Sequence, residues 1–275
     1  MSVSETSQPF ESSEPPAVAT SHFVRDYRNL TKGLIEAVGH EKAMHQGVGG
    51  EYEGIGKIEA ALMTHLGLAE GHFVVDVGCG SGRLAAALSR GRKIAYHGTD
   101  VVPEFLDYAR AHSAEDFRFS LVDGLSIPEA DSVADFVTFF SVVTHLMLHE
   151  TYTYLLEATR VVKAGGLIVL SFLDPSNIWH WETLLRTATE ARAGRLVHLN
   201  AFIEPKTMKT LADRLGLEVQ AIHNTGTRFI PVTEPIALSW GGMVREGTTN
   251  YAPGDLCELG QSIAVLRKPL FPSAF

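Results

Sequence analysis

The sequence is poor in cysteine and has no long apolar run. Its 275 residues include only two cysteines, Cys79 and Cys257, which lie far apart in the chain. So few cysteines exclude a disulfide-rich scaffold, and we expect two free thiols in a reducing cytoplasm. No stretch is apolar enough to cross a bilayer. Because no Lys or Arg precedes Arg25 and no apolar core is present there, we expect no secretory signal.

Basic residues are also in the minority. The chain has 23 Lys and Arg residues against 32 Asp and Glu residues, which gives a formal net charge of −9. This balance argues against a broad surface for nucleic acid or for an anionic membrane. With 45% hydrophobic residues, the chain can still bury a sizeable core. The sequence contains no internal repeat, and it leaves the oligomeric state open.

The first twenty residues differ in composition from the rest of the chain. Residues 1–20 are rich in Ser, Glu, Pro and Thr. Such a segment buries too little apolar surface to offset the entropy of ordering it, so we predict a disordered tail. The alternative is a lid that orders when a ligand binds. We expect residues 21–275 to form a single domain.

Short apolar runs and amphipathic stretches alternate from residue 73 onwards. This alternation predicts βαβ units and an α/β fold with a mostly parallel sheet. Helices are predicted before the first strand as well, over residues 22–46 and 54–66, with a glycine-rich break between them. The predicted strands are residues 73–77, 94–99, 117–122, 134–140, 167–173, 217–222 and 262–266, and the later helices are residues 83–90, 103–112, 151–162 and 205–215.

A glycine-rich turn follows the first predicted strand. Residues 73–84 read FVVDVGCGSGRL, so that Gly78, Gly80 and Gly82 stand at alternate positions. Glycine permits backbone angles and close approaches that a Cβ would obstruct. Asp76, inside the strand, would repel a pyrophosphate and attract an ammonium group. The spacing also differs from the G-x-G-x-x-G fingerprint of dinucleotide-binding proteins.

Polar residues end the next three predicted strands. Asp100 is placed to accept hydrogen bonds from both hydroxyls of a ribose, although it also precedes Pro103 and suits a helix cap. Asp123 and Gly124 are placed to meet an adenine amino group, or they form a simple turn. Ser141 follows the fourth strand. Because ligands of open α/β sheets bind beyond the carboxyl ends of the strands, these residues predict one site.

The run VVDVGCGSG at residues 74–82 resembles the first motif of class I S-adenosylmethionine (SAM) dependent methyltransferases. Residues 98–103 (GTDVVP) and 160–167 (RVVKAGGL) resemble two further elements of that family. The resemblance covers residues 70–175. It implies a Rossmann-like sheet of seven strands, the last one antiparallel, with helices on both faces, and it implies SAM as the cofactor. The implied cofactor-binding residues are Asp76, Gly78, Cys79, Gly80, Asp100, Val101, Asp123, Gly124 and Ser141.

The resemblance implies methyl transfer to a small-molecule acceptor, with oxygen favoured. Three parts of the chain are predicted to cover the site, namely residues 22–66, 174–204 and 224–258. Tyr52 and Trp179 are predicted substrate contacts. Residues 47–51 form either a flexible flap from which Tyr52 or Glu51 reaches the ligand or a plain connector between two helices, and Trp179 suits packing of the cap as well. Arg186, Arg192 and Arg195 suit an acidic substrate or a solvated helix face.

His145 is the predicted catalytic base, because imidazole titrates near neutrality and the residue follows the fourth strand. A purely structural role is the alternative. His149 would share a helical face with His145 if a helix began there, and it is predicted to contact substrate. The pair lacks the inner Glu of H-E-x-x-H, so we predict no metal.

Two other functions remain open at this point. A nicotinamide-dependent oxidoreductase uses a similar sheet, but Asp76 and Arg83 argue against it. A methyltransferase-like scaffold without activity is the second alternative. A nucleic-acid methyltransferase is disfavoured, because residues 140–143 read FSVV where an Asn/Asp-Pro-Pro-Tyr element would stand. The sequence does not identify the acceptor.

Overall fold

The computed structural model describes residues 21–49, 51–91, 93–195, 198–240 and 247–271. The predicted disordered tail, residues 1–20, lies outside the described residues. In the part of the chain that is described, no helix combines the length and the apolar character needed to span a membrane.

Seven strands form the central sheet, in the order β3-β2-β1-β4-β5-β11-β6. The first five run parallel to one another, whereas β11 is antiparallel to both of its neighbours. This arrangement confirms the predicted fold class. The strands of the sheet are β1 (Phe73–Val77), β2 (Ala95–Asp100), β3 (Arg118–Leu121), β4 (Ala134–Phe139), β5 (Val162–Phe172), β6 (Glu218–His223) and β11 (Ser262–Arg267). The remaining strands are β7 (Ile230–Pro231), β8 (Ile236–Trp240), β9 (Gly247–Tyr251) and β10 (Leu256–Cys257).

Helices cover both faces of the sheet. One apolar core joins the sheet to α3, α4 and α5, and a second core joins it to α6, α8 and the start of α1. Residues 167–170 of β5 are apolar and alternate between the two cores for this reason, as in other parallel sheets covered on both sides. The helices are α1 (His22–Val38), α2 (His40–Gln46), α3 (Tyr52–His65), α4 (Arg83–Leu88), α5 (Pro103–Ala111), α6 (Leu148–Val161), α7 (Ile178–Arg192) and α8 (Pro205–Arg214).

Two helices differ from the prediction. The single helix predicted over residues 22–46 is broken at Gly39, whose φ of 82° is costly for any other residue. Helix α6 begins at Leu148, earlier than predicted, and it leaves Tyr152 and Leu156 exposed at 38% and 51%. Helical spacing over residues 151–162 predicts that these two side chains point inward, and that prediction is wrong. Leu155 and Ala158 form the buried face instead.

The segment 224–258 was expected to cover the site. Its strands pair as two small antiparallel sheets, β7 with β10 and β8 with β9. Ile230, Ile236 and Leu238 are buried in the apolar core that contains α3. None of the described residues of this segment lines the large cavity discussed below. The segment therefore extends the core beside α3, because its apolar side chains pack there rather than over the sheet edge.

Candidate active site

A cavity of about 900 Å³ opens at the carboxyl ends of β1, β2 and β4. Its walls come from α1, the glycine loop (residues 78–82), the turn after β4, α7 and the segments around residues 200 and 260. We call the part formed by the glycine loop with Glu51, Glu59, Asp76 and Asp100 the loop end. The part formed by Tyr27, His145, His198 and α7 is the helix end.

The glycine loop needs its glycines. Gly78, Gly80 and Gly82 all have a positive φ, of 67°, 57° and 84°. A Cβ on Gly78 would lie 2.5 Å from Val142 Cγ2, and one on Gly82 would lie 2.6 Å from the Cβ of Ala109. Glycine is therefore required both by the backbone conformation and by the close approach of neighbouring elements.

Asp76 is a buried carboxylate held by two hydroxyl groups. It accepts hydrogen bonds from Tyr96 Oη at 2.6 Å and from Thr138 Oγ1 at 2.7 Å. Burial raises the pKa of Asp76 to about 6, and the two hydroxyl donors oppose that rise. A cation beside Asp76 would favour the ionised form and lower this pKa, so the carboxylate is suited to bind an ammonium group.

Asp100 binds backbone N–H groups on two sides. One carboxylate oxygen accepts from Gly80 N and the other from Val102 N, each at 2.9 Å. Burial raises the pKa of Asp100 to about 6, and both backbone hydrogen bonds act against the rise. The residue therefore connects the glycine loop to the turn before α5 while it lines the cavity.

Glu59 and Arg83 complete the loop end. Their side chains form a buried ion pair of 2.7 Å, and Arg83 Nη1 donates to the carbonyl of Val48 at 2.8 Å. Burial raises the pKa of Glu59 to about 7, and the charge of Arg83 opposes the rise. Sequence reasoning missed Glu59. A signal was present, because this carboxylate lies between Ile58 and Leu62 on an otherwise apolar stretch of α3.

His145 lies in a short 3₁₀ turn, Val143–His145, after β4. Its Nδ1 lies 2.8 Å from the carbonyl oxygen of Leu199. A carbonyl can only accept, so Nδ1 carries the hydrogen and Nε2 keeps a free lone pair. Burial, with a smaller effect from His198, lowers the pKa of His145 to about 4, so the imidazole is neutral at pH 7.

Aromatic rings surround His145. The ring of Tyr27 meets it edge-on at 5.2 Å, and the ring of His198 lies 5.0 Å away, measured between centroids. Tyr27 comes from α1 and His198 from the segment after α7. Two elements outside the sheet therefore supply the rings beside this imidazole. Sequence reasoning singled out neither residue.

Helix α7 presents one face to the cavity. Trp179, Thr183 and Arg186, which we call the cavity face of α7, follow helical spacing and all line the cavity. His180 fixes the start of the helix. Its Nδ1 accepts from the N–H of Asp174 at 2.8 Å, and its Nε2 lies 3.1 Å from Thr225 Oγ1. These bonds attach α7 to the end of β5.

Comparisons with known proteins agree with this geometry. A family model described as a methyltransferase domain matches residues 75–170. The ubiquinone biosynthesis O-methyltransferase of Vibrio cholerae is 30% identical over 206 residues, covering 69% of this chain and 79% of that protein. The chain belongs to the class I SAM-dependent methyltransferases. The cofactor of this family is SAM.

Two further matches define the extent of the likeness. The malonyl-[acyl-carrier protein] O-methyltransferase of Hahella chejuensis is 27% identical over 161 residues, covering 57% of this chain, and the chain spans just over half (54%) of that protein. The magnesium protoporphyrin IX methyltransferase of Synechocystis, solved with S-adenosylhomocysteine (SAH), superposes with a TM-score of 0.58 at 14% identity. That match covers 88% of this chain and 100% of the other, and it shows a shared fold.

The loop end fits the cofactor of this methyltransferase family. SAM carries an ammonium group and a sulfonium centre, and four carboxylates line this end of the cavity. Among the described residues of the loop end, Arg83 is the only cation, and it is paired with Glu59. A pyrophosphate would meet net negative charge there, whereas the ammonium and sulfonium groups of SAM would be attracted.

The structure brings together most of the site residues predicted from the sequence. Ser141, with a φ of 60°, lines the cavity and is fixed by hydrogen bonds to Ser171 and Gln261. The predicted residues that line the cavity are Asp76, Gly78, Cys79, Gly80, Asp100, Val101, Ser141, His145 and Trp179.

Four predicted site residues do not line this cavity. Asp123 and Gly124 lie just beyond Val122, which does line it, and Gly124 O accepts a hydrogen bond from Tyr154. His149 is exposed in the first turn of α6, and His145 precedes that helix, so the two do not share a helical face.

Tyr52 is the fourth. It is buried behind the glycine loop, where its hydroxyl donates to Ser81 O at 3.0 Å and its ring stacks on His45 at 4.6 Å. It lines a separate cavity of about 260 Å³. The contacts of Tyr52 suit a residue that supports the glycine loop better than one that binds a substrate. Among the residues that the structure describes, no cluster of three or more His, Cys, Asp or Glu side chains is arranged to bind a metal ion.

Proposed function

We propose that this protein transfers a methyl group from SAM to an oxygen atom of a small-molecule acceptor. The observation that carries the proposal is the position of His145. Its Nδ1–H is held by the carbonyl of Leu199, which leaves the lone pair of Nε2 available at the helix end of the cavity. The relatives from Vibrio cholerae and Hahella chejuensis are O-methyltransferases, which supports oxygen as the acceptor atom.

The residues of the loop end would hold the cofactor. Asp76 would bind the ammonium group of the methionine portion, and Asp100 the hydroxyls of the ribose. Gly78 and Gly80 allow the positive φ of the loop and the close approach of Val142 and Val48 to it. Asp123 stays a prediction for the adenine, with its neighbour Val122 at the cavity wall. SAM, when bound, supplies a methyl group on a positively charged sulfur that is a good leaving group.

His145 would act on the acceptor hydroxyl. A neutral imidazole can take the hydroxyl proton at Nε2 while the acceptor oxygen forms its new bond to carbon. The hydrogen bond from Nδ1–H to Leu199 O would then stabilise the imidazolium, because a charged donor strengthens such a bond. The proton leaves to water when the product departs. Tyr27 and His198 would limit the orientation of the imidazole.

Binding and transfer are tested in sequence. Calorimetry should show that SAH binds, whereas NAD and NADH do not at the same concentrations. Radiolabelled SAM is then incubated with a panel of phenols, hydroxy acids and sugars, and label is followed into the acceptor. Tight binding of NAD with no binding of SAH would contradict the proposal. Binding of SAH with no transfer to any hydroxyl acceptor would favour the non-catalytic scaffold instead.

A further inference from the structure

The charges that line the cavity are divided between its two ends. The carboxylates Glu51, Glu59, Asp76 and Asp100 all belong to the loop end. The helix end is lined by Arg186 and by three imidazoles, and no carboxylate is found among its described lining residues. The helix end therefore has a different electrostatic character from the loop end.

The three arginines of the α7 region do not have the same surroundings. Arg186 is half-buried on the cavity face of α7. Arg192 and Arg195 are exposed, and Arg195 pairs with Glu190 at 3.9 Å. Of the two interpretations that the sequence left open, a solvated helix face describes Arg192 and Arg195. Arg186 instead places a permanent positive charge at the wall of the site.

His198 lines the same end of the cavity as Arg186. Burial and the positive charge of Arg186 together hold the pKa of His198 below its usual range, while Asp26 acts in the opposite direction. Asp26 does not line the cavity, and it pairs with His22 and Arg25 in α1. Both Arg186 and His198 line the helix end, and both can donate hydrogen bonds. Asn200, which donates to Thr187 Oγ1 at 2.9 Å, lies in the same segment as His198.

We propose that the methyl acceptor carries an anionic group, a carboxylate or a phosphate, that binds Arg186 with His198 beside it. This inference rests on the proposed function, because it assigns the helix end to the acceptor. A guanidinium presents two parallel N–H groups that match the oxygens of either anion. Trp179 and Tyr27 line the same end and offer flat surfaces to an aromatic body.

The test compares anionic and neutral ligands of one shape. The protein is saturated with SAH, and 4-hydroxybenzoate, 4-hydroxyphenyl phosphate and 4-hydroxybenzamide are titrated in turn, with calorimetry as the measurement. At least one anion should bind about tenfold or more tightly than the amide, the range for a hydrogen bond to a charged group. Arg186→Gln should remove that preference without changing the affinity for the amide. Arg186→Lys should restore part of it for the phosphate.

Arg192→Gln is the matched control, because Arg192 belongs to the same helix and is exposed. It should leave every affinity unchanged. Equal affinities for the amide and the anions, no binding of either anion, or an equal loss in Arg192→Gln would overturn the inference. The SAH titration separates the two levels of the proposal. If SAH itself does not bind, the proposed function fails and the inference with it. If SAH binds normally, only the inference is at stake.

Discussion

The two ends of the cavity are held in place by different parts of the molecule. At the loop end, Asp76 and Asp100 lie at the carboxyl ends of β1 and β2. Each accepts two hydrogen bonds from groups of the sheet or its loops. At the helix end, Tyr27, His145 and Arg186 come from α1, the turn after β4 and α7. The part that we propose binds the cofactor is built into the sheet, and the part that we propose binds the acceptor is formed by elements outside it.

This difference has a chemical consequence. A carboxylate with fixed donors is already oriented before the cofactor binds, so little ordering entropy is lost on binding. The helix end depends on contacts between separate helices, such as the bond between His22 of α1 and Glu150 of α6, 2.9 Å long. Substitutions at the two ends should therefore affect different measurements. The predictions below test that separation, beginning with the largest expected effect.

The first prediction concerns His145. His145→Gln keeps a polar side chain but removes the base, so the rate of methyl transfer should fall by about 10²- to 10⁴-fold. The affinity for SAH, measured by calorimetry, should stay within about twofold, because the cofactor residues belong to the other end. His149→Gln, in an exposed position, is the control and should retain the wild-type rate. A wild-type rate in His145→Gln would mean that the base lies elsewhere or is not needed.

The second prediction concerns Asp100. Asp100→Ala should weaken the binding of SAH by about 1–3 kcal/mol, the cost of losing a charged hydrogen-bond partner. The loss has two sources, since the ribose loses its acceptor and Gly80 N loses the bond that positions the glycine loop. Calorimetry measures the change. Glu104→Ala, an exposed carboxylate in the first turn of α5, should bind SAH as the wild type does. Unchanged affinity in Asp100→Ala would remove the ribose assignment.

The sheet and the loop end could be predicted from the sequence because the signals for them are local. Strand runs, glycine spacing and the residue that ends each strand all lie within a few positions of one another, and the parallel sheet then aligns them. Asp76, Asp100 and the glycine loop could be predicted in this way, as could the antiparallel last strand from the family resemblance.

The helix end was less predictable, because the orientation of a helix face depends on tertiary packing. Arg186, Arg192 and Arg195 look equivalent in sequence, and only the packing of α7 shows that one of them lines the cavity. Tyr52 shows the converse error. The turn before α3 directs its ring behind the glycine loop. There the hydroxyl of Tyr52 donates a hydrogen bond to the carbonyl of Ser81.

The third prediction is a pH dependence specific to the loop end. The pKa values of Asp76 and Asp100 are both raised to about 6 by burial, so at pH 5 only about a tenth of each is ionised. The ammonium and ribose groups of SAH favour the ionised carboxylates, so affinity should increase as pH rises from 5 to 7.5. We expect a gain of about tenfold per carboxylate. Asp76→Asn should reduce the gain to the tenfold part that Asp100 contributes, and equal affinity at both pH values in the wild type would contradict the assignment.

The smallest expected effect concerns the attachment of α1. His22→Ala removes the hydrogen bond to Glu150, whose carboxylate still accepts from Met147 N, so the lost bond is worth about 0.5–1.5 kcal/mol. Since local opening of α1 then costs less, hydrogen exchange of its amides should accelerate by about two- to tenfold. Lys32→Ala, at an exposed position of the same helix, should leave exchange unchanged. Because α1 supplies Tyr27 but none of the loop-end carboxylates, the affinity of His22→Ala for SAH should fall far less than that of Asp100→Ala. If the two variants lost affinity equally, the two ends would be one cooperative unit, and the separation between a fixed cofactor site and an attached acceptor site would be wrong.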